Sequence, residues 1–576
     1  MPRRTVWRAI AEALQAEGVQ HLFGLTGNAL HLVSDIRKHT DIKLVLVRHE
    51  HSGVACAYAY ARLSQAPAVC FGNPGPGITN MATGLLEATS GCLPVICITN
   101  GVVAANDGKG AFQELDSVAL MRPVTKWAVR ATLPERVPWL IERAFSIARN
   151  GKPGAVFIDI PSDLGLTEAN IPAYHLSQPR HRTRAEAASV KAAARAVAEA
   201  RRPLMLCGSG AIAAGAFKQV ADLAEAASMP VFTTPGGRGI MSEDAPLALG
   251  QVGLYFTELG KSYYDRADLI LSVGSRLEEF STGAWRYFPE GARLIQLDLD
   301  AETIGMNWRP EVALVGDAAL TLEDVRAALR GIDKPAMRRR LAALEHAKRR
   351  FLRKVAGEGK PDGGRLRTVH VLQSLNRVFG RDTILVHENG GADLWSYYWP
   401  YYRVLDAGDC VPMAEQTAMG MGVIGAIAAK LARPRKKVVC VTGDGALQMA
   451  MMELATAAEQ RCGVTWIVLN DRGLGWPQYF LKLEGRRDGV TDFKVSPDFA
   501  QLAESQGCVG ITVRTTDQIE PALTAALKAN RRGDPVLLDC HIPKHDYPEH
   551  FTRFHREIWG VGVEGKAKAG RVMGGG

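Results

Sequence analysis

Short apolar runs alternate with helix-forming stretches through this chain in three successive blocks, and that alternation leaves little freedom of fold. A strand, a helix and a second strand close into a right-handed crossover that sets the two strands parallel. A chain that keeps repeating the unit builds parallel sheets covered on both faces by helices. The first block spans about residues 1–175, with strands expected at 44–48, 68–72, 95–100 and 155–160. A polar, proline-bearing linker (LSQPRHRTRAEAA) follows. The second block spans 187–335, with strands at 203–207, 231–234, 269–273 and 294–299, and the third spans 366–550, with strands at 383–387, 436–442, 465–469 and 536–541. Residues 551–576 read as a Gly/Lys-rich tail. The expected class is α/β, with three doubly wound parallel-sheet domains.

The third block carries the most specific chemistry. Its strand at 436–442 runs into Gly443-Asp444-Gly445, and its strand at 465–469 runs into Asn470-Asp471-Arg472-Gly473. The crossover places Asp444 and Asp471, 27 positions apart, side by side beyond neighbouring strand ends, where open α/β sheets bind their ligands. Two carboxylates and a nearby carbonyl make an oxygen-rich site suited to Mg²⁺ or Ca²⁺, not zinc. The glycines let the backbone approach a phosphate, and a single long helix opening at Ala446 offers it free N–H groups. A lone GDG is usually an ordinary turn. The paired spacing is what raises this one above that reading.

The arrangement resembles the cofactor-anchoring motif of thiamine diphosphate enzymes, with Asp471 standing where that family most often has Asn. The resemblance implies Mg²⁺ held by Asp444, the Asp471 side chain and the Gly473 carbonyl. Thiamine chemistry also needs a carboxyl group in a dry pocket to protonate the cofactor's pyrimidine ring. Arg48-His49-Glu50-His51, ahead of a small-residue helix (SGVACAYAYARL), offers Glu50. Taken alone, Glu50 reads equally well as a helix-opening Glu favoured by the dipole. His49 and His51 point to different faces and make no metal pair.

Further segments extend the resemblance to nearly the whole chain, about residues 5–545. RHE, then GNPGPGITN (72–80), AFQE (111–114), RPVTK (122–126) and KPGAVFIDIP (152–161), run in the order seen in acetolactate-synthase-like enzymes. The resemblance implies an N-terminal pyrimidine-binding (PYR) domain, a central nucleotide-binding domain and a diphosphate-binding (PP) domain. Glu50 becomes the activating glutamate, supplied by one subunit of a homodimer or homotetramer to the cofactor held by another. AEQTAMGMGVIGAIAAK (414–430) looks like the aminopyrimidine cradle, with Thr417 accepting from the amine and Met419 as the apolar wedge. Asn389, Gly390 and Gly391, with Gly443, Gly445 and Ala446, would hold the diphosphate. Asn28, His31, Asn73 and Gln113 would face the reactive carbon, with Trp476 and Phe480 on the far wall. Gly208, Ser209, Gly210, Thr233, Thr234, Gly274, Arg276, Asp298 and Asp317 fall where acetolactate synthases bind FAD; the resemblance implies a structural flavin there, with a vestigial nucleotide site or a different adenine nucleotide as the alternatives.

One departure bears on the substrate. Phe280, in GSRLEEFSTG, replaces the arginine with which acetolactate synthases grip the acceptor's carboxylate, and a charge-assisted clamp is lost. The expected function is therefore a thiamine-dependent carboligase or lyase acting on a small 2-oxo acid or related compound. A non-ligating decarboxylase or cyclic-diketone hydrolase is the alternative, and an inactive regulatory homologue the non-enzymatic one.

Charge and composition limit the partners. Much of the net charge of +9 lies in residues 334–354; without aromatic or groove-reading elements beside it, that stretch reads as a solvated connecting helix and not a nucleic-acid surface. No apolar run approaches the roughly 18 residues that span a bilayer. The N-terminus shows no export signal, and ten scattered cysteines without CxxC point to reduced thiols in a cytoplasm.

Overall fold

In the computed structural model, residues 3–331, 333–486, 489–548, 552 and 554–556 are described; the expected tail, 551–576, lies almost entirely outside them. Three six-stranded sheets carry the chain, each fully parallel. The first runs Lys43–Leu46, His21–Gly24, Ala68–Gly72, Val95–Gly101, Val156–Pro161, Trp127–Arg130 across the sheet. The last runs Cys410–Val411, Thr383–His387, Lys437–Gly443, Val464–Asn470, Val536–His541, Val509–Val513. Numbered within each block, both follow the order 2-1-3-4-6-5. The central sheet runs Ala248–Gln251, Val231–Thr233, Pro203–Cys207, Leu269–Val273, Arg293–Asp298, Val312–Val315. That is 3-2-1-4-5-6, the order of dinucleotide-binding folds.

The chain forms two compact units, the first comprising Met1–His181, Met413–Arg435 and Ala450–Cys462, and the second the remainder. In the first unit, helix Glu50–Ser64 packs on its own sheet and on helix Met421–Ala432. Its small residues permit this: a Cβ at Gly53 would stand 3.0 Å from the Gly24 Cα. In the second unit, the 23-residue helix Lys334–Ala356 is more than a solvated connector. Its Lys348, 4% exposed, donates to the carbonyls of Glu243, Ala245 and Ala248. Arg340 donates to carbonyls of Ala200, Arg201 and Ala227 at the ends of two helices. The second unit also encloses an ion pair: Arg238, with no exposed surface, meets both oxygens of Glu243 and the carbonyl of Tyr402.

The helix expected to run unbroken from Ala446 is two short ones, Asp444–Gln448 and Glu453–Glu459, separated by turns. The break lets the fully buried Glu453 take the Arg48 N–H and the Thr456 hydroxyl. All ten cysteines are free thiols, and all are buried.

Candidate active site

A doubly wound sheet opens a crevice where its strand order reverses, and the first unit fills that crevice with amides around one acid. The first sheet reverses between His21–Gly24 and Ala68–Gly72. Asn73, one residue beyond the latter strand, donates from Nδ2 to the Leu25 carbonyl at 3.2 Å and to Glu50 Oε1 at 3.4 Å. Asn80 donates to Glu50 Oε2 at 3.0 Å. Glu50 itself is 8% exposed and opens helix Glu50–Ser64 behind a His49 cap. It thus stands on a helix N-terminus, not on a strand end: the preceding strand stops at Leu46. A Cβ at Gly77 would lie 3.2 Å from Glu50 Oε1, so that glycine makes room for the carboxyl.

Asn28 and Gln113 form a second amide pair, bonded to each other at 3.1 Å from Asn28 Nδ2 to Gln113 Oε1. Gln113 adopts a left-handed backbone at φ 62°, a conformation that non-glycine residues hold only when the surroundings impose it. His31 stands exposed on helix Leu30–His39, and no described hydrogen bond ties it to any of them. Thr417 is likewise left-handed at φ 46°, two residues before Met419 and three before Gly420, which caps helix Met421–Ala432 in this same unit. Sequence reasoning passed over Asn80, although it closes the GNPGPGITN run that was singled out.

In the second unit, the last sheet reverses between Thr383–His387 and Lys437–Gly443. There a cleft is lined by Gly391, Gly443, Asp444, Asp471, Gly473 and Tyr547, among others. Asp444 accepts from the N–H groups of Gly445 at 3.0 Å and Gly473 at 3.2 Å. Burial pushes its carboxyl up to about 7; burial, and then the Asp444 charge, push Asp471 to about 8. Two carboxyls facing one cleft, Asp444 buried and Asp471 half-buried, repel each other until a cation lies between them, so the donor set fits a divalent metal. The backbone fits a phosphate: a Cβ at Gly443 would meet no atom within 4 Å, and Gly390 holds φ 129°, open to glycine. A Cβ at Gly391 would come 2.9 Å from the Gly475 Cα, so the loops after two strands touch backbone to backbone. Asn389 donates its N–H to Glu388, and Ala446 lies buried in the short helix's first turn.

Trp476 and Phe480 stack at 5.4 Å on helix Gly475–Leu483. Phe280 is 40% exposed, with its carbonyl against Gly253. In the central sheet, the loops bearing Gly208–Ser209–Gly210 and Gly274 seal together through Gly208 N–H to Val273 O and Gly210 N–H to Gly274 O. Thr234 caps the turn to Gly237, and Thr233 Oγ1 is buried without a hydrogen-bond partner. Asn307 reaches the Arg276 carbonyl, and Asp298 accepts from the Asp300 N–H. Asp317 is bound to Arg182 at 2.6 Å and caps helix Ala318–Ala328.

Comparison with known proteins places these crevices in one class. The chain matches the thiamine pyrophosphate enzyme N-terminal TPP binding domain over residues 4–120, the central domain over 190–325 and the C-terminal TPP binding domain over 390–540. These are the three domains of a thiamine diphosphate enzyme. It is 33% identical over 543 residues to a probable acetolactate synthase large subunit of Methanocaldococcus jannaschii, covering 93% of this chain and 91% of that protein. A probable acetolactate synthase large subunit of Methanococcus aeolicus is 32% identical over 556 residues, with 93% and 91% covered. An acetolactate synthase of Mycobacterium leprae is 30% identical over 549 residues, with 92% and 86% covered. The chain belongs to the acetolactate-synthase-like family of thiamine-dependent enzymes that form carbon–carbon bonds.

Proposed function

We propose that this enzyme is a thiamine diphosphate- and Mg²⁺-dependent carboligase acting on a small 2-oxo acid or related 2-oxo compound. The cleft between Asp444 and Asp471 carries the reading: a buried and a half-buried carboxyl beside bare glycine backbone, at the switch point of a TPP-binding domain, suit a metal diphosphate. Asp444, the Asp471 side chain and the Gly473 carbonyl would hold Mg²⁺. Gly443, Gly445, Ala446 and Asn389 to Gly391 would hold the diphosphate, and Thr417 and Met419 the aminopyrimidine. Thiamine diphosphate, when bound, supplies a carbanion that attacks a carbonyl carbon. Glu50 holds the proton for the pyrimidine nitrogen, its two oxygens fixed by Asn73 and Asn80. Asn28, Asn73 and Gln113 orient the substrate carbonyl, and His31 flanks them.

The amide cluster is bordered by Leu30, 59% exposed, and Phe112, 84% exposed. Apolar side chains so bare favour cover by a second copy of the chain, in keeping with a site shared between subunits of a homo-oligomer. No described helix is long and apolar enough to cross a membrane, and we place the enzyme in the cytoplasm. FAD is proposed as a structural ligand of the central domain, supported by the sheet order and the unpaired Thr233 hydroxyl; Asp317, already committed to Arg182, is the weakest member of that set. Phe280, where relatives grip a carboxylate, favours a neutral acceptor and keeps decarboxylation or diketone cleavage as a second reading.

Carbon dioxide release and acetolactate formation from pyruvate, with and without thiamine diphosphate and Mg²⁺, test the proposal. Cofactor-dependent turnover supports it. Absence of turnover on a panel of 2-oxo acids and diketones, despite tight cofactor binding, refutes it and favours an inactive regulatory homologue.

A further inference from the structure

Asp393 is neither a metal nor a diphosphate ligand, yet it joins the two loops that form the cleft. It follows strand Thr383–His387 by six residues and opens a short helix, Asp393–Ser396, with 3% of its surface exposed. Its carboxyl accepts the Trp476 indole N–H with both oxygens, at 2.9 and 3.0 Å, and also faces the Gly390 N–H. Its own N–H returns to the Gly390 carbonyl at 2.9 Å. Trp476 lies one residue after Gly475, whose backbone abuts Gly391.

The consequence for Trp476 is orientation. An indole has one N–H donor, and here that donor is fixed from behind by a buried acid. Its ring stacks on Phe480 and meets Tyr479 edge-on at 5.9 Å. Tyr479 is anchored in turn through its hydroxyl to His555 Nδ1 at 2.9 Å. An aromatic pair on a helix's first turns could adopt other rotamers; the Asp393 bond selects one. A buried carboxyl is costly to retain for packing alone, and a Leu or Met of similar volume would fill the same space.

We infer that Asp393 is a positioning residue: it holds Trp476 in one rotamer and thereby sets the aromatic wall against which the substrate is bound. This rests on the reading of Trp476 and Phe480 as substrate-facing. Asp393 touches no reacting atom and acts only through the indole.

The test uses the full-length enzyme loaded with thiamine diphosphate and Mg²⁺, and the variants Asp393→Leu, Asp393→Asn and Trp476→Phe. Loss of one buried hydrogen bond is worth about a tenfold change in binding, so Asp393→Leu should raise KM for pyruvate about tenfold with kcat little changed. Asp393→Asn, which keeps an acceptor oxygen, should restore most of that loss. In a Trp476→Phe background Asp393→Leu should add nothing, because residues acting through one bond are not additive. A substrate-free readout runs in parallel: with 5-fluorotryptophan incorporated, the ¹⁹F resonance that Trp476→Phe deletes should shift and broaden in Asp393→Leu and stay put in Asp393→Asn. An unmoved resonance in Asp393→Leu, or additive effects on KM, overturns the inference. If the wild type turns over no 2-oxo compound, the proposed function fails, and the fluorine signal alone still decides whether Asp393 sets Trp476.

Discussion

Asp471→Asn separates what the cleft costs the empty protein from what it contributes with metal. In the folded, metal-free chain the Asp471 carboxyl is raised from 3.8 to about 8, first by burial and then by Asp444. The unfolded chain releases that proton near 3.8, the folded chain only near 8. Between those values the folded state holds more protons, so stability falls as pH rises. At pH 7 about three pH units of that window have been crossed, and at 1.36 kcal/mol each the penalty is on the order of 2–4 kcal/mol. Asparagine keeps the shape and carries no charge to neutralise. Metal-free Asp471→Asn should therefore melt higher than wild type in EDTA, with a lead that is small at pH 5 and grows toward pH 8. Adding Mg²⁺ and thiamine diphosphate should narrow or reverse the lead, because a ligand that binds only the folded state stabilises it by mass action. Exchanging a charged carboxylate oxygen for a neutral amide oxygen should weaken Mg²⁺ by roughly tenfold. Thermal melts across pH and calorimetric titration of Mg²⁺ measure both halves. A variant that melts lower than wild type in EDTA at every pH, or binds Mg²⁺ equally well, refutes the account of the cleft.

Other expectations are simpler. Glu50→Gln should lower turnover on any productive 2-oxo substrate by about 10²–10⁴, the usual worth of a positioned acid, while calorimetric affinity for thiamine diphosphate stays near wild type; retained turnover would remove Glu50 from its role. Lys348→Met takes the ammonium donor from the carbonyls of Glu243, Ala245 and Ala248, the first and last of them buried, and should cost about 2–4 kcal/mol. Burial holds Lys348 down to about 8 against 10.5 when unfolded, so the unfolded chain binds more protons between those values and stability rises with pH there. The wild-type lead over Lys348→Met in melting temperature should thus be wider at pH 9.5 than at pH 7. Arg238→Met strands the buried Glu243 and should cost about 3–5 kcal/mol, part of which Arg238→Met with Glu243→Leu recovers on denaturation. Flavin absorbance in the purified protein would establish the central-domain ligand, and a colourless protein that ignores added FAD would exclude it.

What could be read from the residues alone follows how deeply each element is buried. Strands inside the sheets, such as Pro203–Cys207, Leu269–Val273, Thr383–His387 and Val536–His541, are mostly apolar and buried almost throughout, and stand as expected to the residue. Those passed over are mostly edges. Val312–Val315 alternates buried and exposed, Val509–Val513 is largely open, and Cys410–Val411 is two residues long. An edge strand buries one face or less, so its sequence carries half the signal. The interior His21–Gly24 escaped because four residues holding a His and a Gly show no period.

The candidate site divides the same way. Asp444 and Asp471 were legible because a crossover fixes where strand ends lie, and a spacing in sequence becomes a distance in space. Asn80 and Asp393 were not, because each acts through a partner distant in sequence, 30 positions away in Glu50 and 83 in Trp476. The break after Gln448 was hidden for a related reason: the local sequence is a good helix, and a bond from Glu453 to Arg48, 405 positions upstream, overrides it.

The ten enclosed thiols give the enzyme an internal set of opening gauges. A thiol-reactive reagent cannot reach those with no exposed surface, such as Cys70, Cys97, Cys207, Cys440 and Cys540, until their surroundings part, so each alkylation rate reports the free energy of one local opening. Cys70 and Cys97 sit in the first sheet, Cys207 in the central one, and Cys440 and Cys540 in the last. Mass spectrometry of a partly labelled sample would rank the three sheets by resistance to opening, without adding a single probe. Repeating the labelling with Mg²⁺ and thiamine diphosphate would show which sheet the cofactor closes, and by how much.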